Sequence, residues 1–382
     1  MFLFYLALTG LIFWIAFGVE LALGNRTIPY LRDIAPRGGP HPPRVSIIIP
    51  ARNEQRHIEQ ALQSVLRLDY ASLEIMAVND RSTDATGEIL DRLAGAYPQL
   101  RVAHIGELPP GWLGKNHAMH YGAQAASGDY LLFTDADIFM HPGTISRAVS
   151  YMESRGLDHL TIMPENTMKG AALGMFLGAF ALFFSFFARP WFARNPKSRF
   201  FMGVGAFNMV RADFYRRIGG HRAIAMRPDD DIKLGKLVKK YQGHQELLIG
   251  LDMIAVEWYT SLRELIDGLM KNMFPGVDYR LWVIIAGTIS MSLYAIWPFI
   301  GMFATSGATR WMNAGIVLAL ALMYADTAGF HRLRRWQFIG FPLATLTFIY
   351  VLWRSTILTY RHNGIRWRDT HYPLAELKAN KI

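Results

Sequence analysis

Cysteine is absent from the 382-residue sequence. Disulfide bonds, thiolate metal sites and a cysteine nucleophile are therefore excluded. Two phosphate-binding signatures are missing as well, because no GxxxxGK(S/T) loop occurs and no GxGxxG follows the first predicted strand. Only 18% of the residues are charged and 52% are hydrophobic, which is too apolar for one ordinary soluble domain. Part of the chain is therefore expected to lie in a membrane.

Long uncharged runs near both ends of the sequence predict the membrane segments. Met1 to Val19 carries no charge and predicts a spanning helix over 1–23. A cleaved signal peptide is disfavoured, because the run has no basic start and no clear cleavage site. Three later runs are each long enough to cross a hydrocarbon core of ~30 Å and predict a bundle over 281–358. These runs are 281–305, 311–330 and 337–357.

The net charge is +10, and many basic residues lie beside these runs. Some lie in or just after a predicted juxtamembrane linker, 24–43, and others fill one later loop. They are Arg26, Arg32, Arg37, Arg44, His331, Arg332, Arg334 and Arg335. This placement is typical of the cytoplasmic flanks of membrane helices rather than of a nucleic-acid surface, so 44–280 is predicted to be a cytoplasmic domain. Either the basic tail, 359–382, is external despite its charge, or one of the three later runs does not cross.

Apolar strands and amphipathic helices alternate in this middle region. The predicted strands are 44–50, 73–80, 100–106, 129–137 and 159–164, and the predicted helices are 54–68, 84–96, 116–127 and 142–154. This order predicts an α/β fold with a mostly parallel sheet that is covered by helices on both faces. Such sheets bind ligands beyond the carboxyl ends of their strands.

Polar residues follow several of these strands, at the expected ligand edge. Asp135 and Asp137 come after an apolar run and lean to the same side of an extended segment. Two carboxylates so close repel each other unless a cation is near, and oxygen ligands suit Mg²⁺ or Mn²⁺. The alternative is a surface turn. Lys115, at the start of a predicted helix in "PPGWLGKN", suits phosphate oxygens, with a solvated lysine as the alternative.

Five ordered motifs resemble those of the family 2 glycosyltransferases with a GT-A fold. They are "VSIIIPARNE", "VNDRSTDAT", "GWLGKNHAMHYGAQAASGDYLLFTDADI", "GVGAFNMVRADFYRRIGGH" and "DDDIKLGKLVKK". The strongest resemblance is to membrane-bound members associated with hopanoids, carotenoids and ceramide, which share the "GWxGK" stretch. The resemblance covers roughly 45–271 and implies a Rossmann-like, mostly parallel sheet together with N-terminal and C-terminal transmembrane helices.

The resemblance also implies the roles of individual residues. Donor binding falls to Pro50, Ala51, Glu54, Asp80, Lys115, Asp135 and Lys271, and the metal, Mg²⁺ or Mn²⁺, to Asp135 and Asp137. Catalysis falls to Asp230 and Asp231, with Asp231 as the general base. Because "RPDDD" has three aspartates where the family has Glu-Asp, Asp229 and Asp230 remain alternatives for the base. Asp231 is also a favourable acid for a helix N-terminus.

Two further stretches bear on how the chain meets the membrane. Ala171 to Ala188 is long and apolar but lies between Asp137 and Asp231, so a single crossing would separate metal site and base. We expect it to be an interfacial helix that helps a lipid acceptor reach the site, or else a buried core helix. "RLRRW", beginning at Arg332, resembles the (Q/R)xxRW motif of processive and ceramide-type relatives, but it falls between two predicted spans, where a positive-inside loop explains it.

Together with the residues, this resemblance implies an inverting, metal-dependent hexosyltransferase of the inner (plasma) membrane, with several spans and a cytoplasmic catalytic domain. It would move one sugar from a nucleotide sugar, expected to be UDP-linked, to a hydroxyl of a lipid-like acceptor. Its expected partners are donor, acceptor and membrane, with no nucleic acid and no indicated protein partner. The alternatives are a processive polysaccharide synthase and a non-catalytic nucleotide-sugar-binding membrane protein.

Overall fold

The computed structural model describes residues 1–36 and 41–382 and divides into two compact units. The first unit comprises 1–27, 168–189 and 258–374, and the second comprises 28–167, 190–257 and 375–382. Arg37, a basic residue of the predicted linker, lies outside the described residues. The helices are α1 (Phe2–Asn25), α2 (Ile58–Leu66), α3 (Thr86–Ala96), α4 (Gly114–Ala125), α5 (Thr144–Arg155), α6 (Ala171–Ala188), α7 (Ala212–Arg217), α8 (Gly220–Ala223), α9 (Asp230–Lys240), α10 (Leu262–Gly276), α11 (Leu281–Met291), α12 (Trp297–Ala304), α13 (Gly307–Phe330), α14 (Phe341–Arg361) and α15 (Leu374–Ala379).

The second unit is built on a large sheet. The strands of the chain are β1 (Val45–Ala51), β2 (Leu73–Asp80), β3 (Leu100–Ile105), β4 (Tyr130–Phe133), β5 (Ile138–Met140), β6 (His159–Met163), β7 (Glu165–Asn166), β8 (Asn208–Arg211), β9 (Gln245–Ile249), β10 (Ile254–Val256), β11 (Gly364–Trp367) and β12 (Thr370–Pro373). Within the described residues, seven of them form the main sheet in the order β3-β2-β1-β4-β8-β6-β9. Only β8 runs against its neighbours there, and β5, β10 and β7 form a separate small sheet.

Both faces of the main sheet are covered, as near-continuous apolar strands require. On one face, Ile47 and Leu132 pack in a core with residues of α2 and α5. On the other face, Ile48 and Phe133 pack with residues of α4, α7 and α9. The predicted fold class is confirmed. The predicted strand 129–137 was too long, because the chain leaves the sheet after Phe133 and turns before β5.

The first unit contains most of the apolar helices. Five helical segments of the described chain are long and apolar enough to cross a membrane: Phe2–Asn25, Ala171–Phe192, Leu281–Ala304, Gly307–Phe330 and Arg335–Arg361. The third contains a π-helical turn, Ser292–Ile296, before Pro298. Proline removes the hydrogen bond to the carbonyl four residues earlier, which is that of Tyr294. The Trp14 indole N–H donates to this carbonyl at 2.6 Å, so the freed oxygen keeps a partner.

The apolar helix α6 belongs to the first unit, where Phe183 stacks on Phe348 of α14. The chain leaves the second unit after Thr167 and rejoins it at Pro190. An α-helix rises ~1.5 Å per residue, so α6 is just long enough to cross a bilayer once and cannot also return. If the second unit stays on one side of the membrane, α6 is therefore not an ordinary single crossing. The interfacial or buried placement stays a prediction.

The predicted basic tail is more ordered than its composition suggests. It includes the end of α14, the antiparallel hairpin of β11 and β12, and α15. In the first unit, the Lys271 Nζ lies 4.4 Å from the ring centroid of Trp367 in β11, a cation–π distance. The hairpin therefore contacts Lys271, the lysine for which the family resemblance implies a role in donor binding.

Two buried histidines should make the second unit sensitive to acid. Burial lowers the pKa of His159 to about 4 and that of His221 to about 3. In the unfolded chain both have a pKa of ~6.5, so on acidification the unfolded state binds protons before the folded state does. The free energy of unfolding should therefore fall as the pH drops below that value. The loss should be about 1.4 kcal/mol per pH unit for each histidine until the folded pKa is reached. In thermal unfolding between pH 4.5 and 7, His159→Gln should show a shallower slope. The exposed His244→Gln should match wild type, and an unchanged slope in His159→Gln would contradict this account.

Candidate active site

The carboxyl ends of β1, β2 and β4 meet at one edge of the main sheet and bring the predicted residues together. Ala51 ends β1, Asp80 ends β2, and Asp135 follows β4 after one intervening residue. Ala51 is buried, so only its backbone is available to a donor. Pro50 precedes it in β1, and Glu54 follows in a turn where its backbone N–H donates to Thr86 Oγ1 at 2.8 Å.

The ammonium of Lys115 is the centre of this cluster. Its Nζ lies 2.8 Å from Asp135 Oδ1 and 3.4 Å from Asp230 Oδ2, and the side chain is only 19% exposed. Burial alone would lower the pKa of Lys115, but Asp135, Asp230 and Asp231 outweigh it and raise the pKa above its usual value. Lys115 is therefore a permanent cation that bridges the two predicted acidic motifs. Its predicted contact with the donor diphosphate stays a prediction.

The paired carboxylates Asp135 and Asp137 have the chemistry expected of a divalent-cation site. Burial, then the nearby charges of Asp135 and Glu54, raise the pKa of Asp137 to about 7. Such crowding of like charge favours a bound cation, and an all-oxygen donor set fits Mg²⁺ or Mn²⁺. In the part of the chain that the structure describes, no group of three or more His, Asp or Glu side chains could hold a metal alone. The donor set fits an ion that keeps waters and substrate phosphates as further ligands.

The three successive aspartates at the start of α9 have three different environments. Asp229 forms a two-pronged pair with the Arg227 guanidinium, at 3.0 and 3.1 Å, and lies 3.4 Å from Lys233 Nζ. Its side chain is 5% exposed. Asp230 is as deeply buried and faces Lys115. Because both of its oxygens already pair with Arg227 and Lys233, Asp229 is disfavoured as the general base.

Asp231 is the most accessible of the three. Its Oδ2 accepts the Gly205 N–H at 2.9 Å and its Oδ1 accepts the Ile232 N–H at 2.8 Å. Burial raises the pKa of Asp231, with the charges of Asp135 and Asp229 adding to the rise, although Lys115 opposes it. A half-buried carboxylate with a raised pKa is a better base than an ordinary aspartate. The position fits the predicted role.

Glycines allow the backbone to approach these carboxylates closely. A Cβ on Gly203 would lie 1.8 Å from the Asp231 carbonyl oxygen, and one on Gly205 would lie 2.6 Å from Asp135 Oδ2. A Cβ on Gly114 would lie 2.2 Å from Asp80 Oδ2. No other residue type fits at these three positions without movement of the site.

The sequence analysis did not identify the two arginines that pair with Asp80. Asp80 is buried and accepts two hydrogen bonds from the Arg81 guanidinium, at 2.7 and 3.0 Å, while Arg52 Nη1 lies 3.7 Å away. Both arginines adjoin the predicted strand ends in "PARNE" and "NDRSTD", so their position at the ligand edge could have been predicted from the sequence. Among the predicted donor residues, Lys271 lies in the first unit and the others in the second.

The order of the strands and the position of the carboxylate cluster at the ligand edge can be compared with known proteins. Residues 46–216 match the family model described as "Glycosyl transferase family 2". This part of the chain therefore matches a family 2 glycosyltransferase domain and has a GT-A-like fold, as the motifs predicted.

Several characterised proteins are similar over most of their length. The "4,4'-diaponeurosporenoate glycosyltransferase" of Staphylococcus aureus strain bovine RF122 / ET3-1 is 23% identical over 344 residues, which cover 87% of this chain and 89% of that protein. The enzyme of the same name from strain MRSA252 has the same identity and coverage. Among solved structures, "Mannosyltransferase PcManGT from Pyrobaculum calidifontis in complex with GDP-Man and Mn2+" aligns with a TM-score of 0.56 and 16% identity. That alignment covers 93% of this chain and 99% of the other.

Proposed function

We propose that the protein transfers a single sugar from a nucleotide sugar to a hydroxyl of a lipid-like acceptor, with inversion and with a divalent metal ion. The observation that carries the proposal is the arrangement around Lys115. This cation joins the predicted metal ligand Asp135 to the aspartates that begin α9, at the ligand edge of a glycosyltransferase domain. The name of the Staphylococcus aureus relatives and the five apolar helices of the described chain support a lipid-like acceptor, with a carotenoid-type molecule as the first candidate.

In this proposal the chain's own residues hold the reactants and move one proton. Asp231 accepts the proton of the acceptor hydroxyl as the oxygen attacks the anomeric carbon. The bond to the diphosphate breaks on the opposite side, so one displacement inverts the configuration and no enzyme nucleophile is needed. Asp135 and Asp137 would hold Mg²⁺ or Mn²⁺, which supplies Lewis-acid neutralisation of the leaving diphosphate. Lys115 keeps Asp135 and Asp230 in place until the donor arrives.

We also propose that the protein is a multi-pass protein of the inner membrane with its catalytic unit in the cytoplasm. The basic residues beside the apolar helices support this orientation. Because the chain has no cysteine, a single Lys197→Cys or Arg366→Cys change gives one reactive thiol on an exposed residue. A membrane-impermeant maleimide applied to intact cells should fail to label Lys197→Cys. Labelling of Arg366→Cys in the same cells decides whether the tail is external.

The central experiment is release of nucleoside diphosphate by detergent-purified protein. A panel of UDP-linked and GDP-linked sugars is tested with Mg²⁺ or Mn²⁺, with and without extracted membrane lipid, and UDP-linked sugars are the expected donors. Release with one donor that rises with lipid, and a single product of inverted anomeric configuration, would support the proposal. Extended polymer would indicate a processive synthase instead. Metal-dependent nucleotide binding without release from any donor, even with lipid, would indicate a binding protein.

The loop that resembles the (Q/R)xxRW motif is expected to be dispensable. Arg335 is exposed and begins a short 3₁₀ helix, Arg335–Gly340, in the first unit. Changing Arg335→Ala should therefore leave turnover within about twofold of wild type, since exposed charges contribute little. Turnover is measured by diphosphate release in detergent, with the exposed Arg310→Ala as control. A severe loss in Arg335→Ala alone would restore the motif interpretation.

A further inference from the structure

Residues 375–382, which we call the strap, belong to the second unit although the hairpin before them belongs to the first. We infer that the strap is a structural part of the catalytic centre, and that Asn380 is a positioning residue for the aspartates at the start of α9. The inference rests on the proposed function for its effect on turnover. Its structural part stands on hydrogen bonds alone.

Asn380 makes two hydrogen bonds to the segment that leads into α9. Its Oδ1 accepts the Met226 N–H at 3.0 Å, and its Nδ2 donates to the Ala223 carbonyl at 3.0 Å. The amide of one side chain thus satisfies a backbone N–H and a backbone carbonyl that are three residues apart. Ile382, two residues further on, packs against the hydrophobic core that contains residues of α4 and α9.

The same segment is also held by residues at the start of α4. Asn116 Nδ2 lies within hydrogen-bond distance of the carbonyls of Ile224, Ala225 and Arg227, at 2.8 to 3.1 Å. The Leu113 N–H also donates to Ala225, at 2.9 Å. Asn116 directly follows Lys115, so the α4 side chain that holds this segment is next in sequence to the central cation of the site.

The segment ends directly before the aspartates. Arg227, whose carbonyl Asn116 holds, is the residue whose guanidinium fixes Asp229. A shift of the segment would therefore move Asp230 relative to Lys115 and Asp231 relative to Gly205. Transfer is sensitive to such shifts, because a ~1 Å displacement of a catalytic group can cost ~10²-fold in rate. The donor residues on β1 and β2 would stay where they are.

The test compares Asn380→Ala and Asn380→Asp with wild type in the full-length protein. Hydrogen exchange, followed by mass spectrometry, is measured on peptides that cover 223–231. Asn380→Ala should speed exchange across this stretch, and its kcat for transfer should fall about tenfold while the KM for the donor changes less than about twofold. Asn380→Asp keeps the acceptor for the Met226 N–H but not the donor to the Ala223 carbonyl. Its exchange rate and its kcat should therefore lie between those of wild type and Asn380→Ala.

Lys381→Ala is the matched control, because Lys381 is exposed and adjacent. It should exchange and turn over like wild type. Unchanged exchange over 223–231 in Asn380→Ala would overturn the inference, as would wild-type turnover by that variant. If wild-type protein released no diphosphate with any donor, the proposed function would fail, while the exchange comparison would still decide the role of the strap.

Discussion

Replacing Asp231 by asparagine should reduce turnover by about 10³-fold, within the ~10²–10⁴ that a positioned general base contributes. Donor binding should not change. An asparagine oxygen can still accept the Gly205 N–H, so this contact is kept, while the Ile232 N–H loses its side-chain acceptor. The amide cannot accept the proton of an attacking hydroxyl at neutral pH. The measurement is diphosphate release under saturating donor and lipid, with nucleotide binding determined on the same preparation.

Asp213→Asn is a suitable control for that variant, because Asp213 is an exposed aspartate of α7 in the same unit. It should keep full activity. Full turnover by Asp231→Asn would show that the base is elsewhere, and Asp230 would be tested next. Asp229 is a poor third choice, since removing its charge leaves Arg227 and Lys233 buried without their shared partner.

Replacing Asp137 by asparagine should weaken metal-dependent nucleotide binding by about a hundredfold or more. Losing only the hydrogen-bond partner of a ligand costs about 10- to 100-fold in metal affinity, and Asp137 is predicted to be a ligand itself. Metal-independent binding should remain, because the substitution leaves the other predicted donor-binding residues unchanged. Titration of a nucleoside diphosphate with and without Mn²⁺, by calorimetry, separates the two contributions.

The Asp137 and Asp231 variants therefore have opposite signatures. Asp137→Asn should lose the Mn²⁺-dependent part of binding, whereas Asp231→Asn should retain it and lose turnover. An Asp137→Asn protein that binds nucleotide as wild type does, with the same Mn²⁺ dependence, would rule out this residue as a ligand. Asp213→Asn again serves as the matched loss of one exposed charge.

Local sequence pattern predicted much of the first half of the sheet. β1, β2 and β3 fall within the predicted ranges, or within one residue of them, because each is a short apolar run bounded by turn residues. The end of β4 was not predictable in the same way, since only four residues separate it from β5, which joins another sheet. β8 and β9 are short, and their pairing depends on residues that are distant in sequence.

The roles of the three aspartates show where spacing alone fails. Lys233 is four residues after Asp229 and three after Asp230, and both spacings allow contact on a helix. In the structure Asp229 pairs with Arg227 and Lys233, whereas Asp230 also faces Lys115 from a different helix. Identical neighbours in a sequence are distinguished only by such long-range partners.

The reversed direction of β8 has a consequence for the chemistry that the ligand edge can offer. A parallel strand brings only the residues that come after it to that edge, and here those residues include the carboxylates Asp135 and Asp137. A reversed strand brings the residues that come before it, and these include Gly205, whose amide hydrogen points to Asp231. Because one strand is reversed, the edge receives carboxylates from segments that follow strands and a backbone N–H from a segment that precedes one. Uniformly parallel strands would have left Asp231 without this backbone donor.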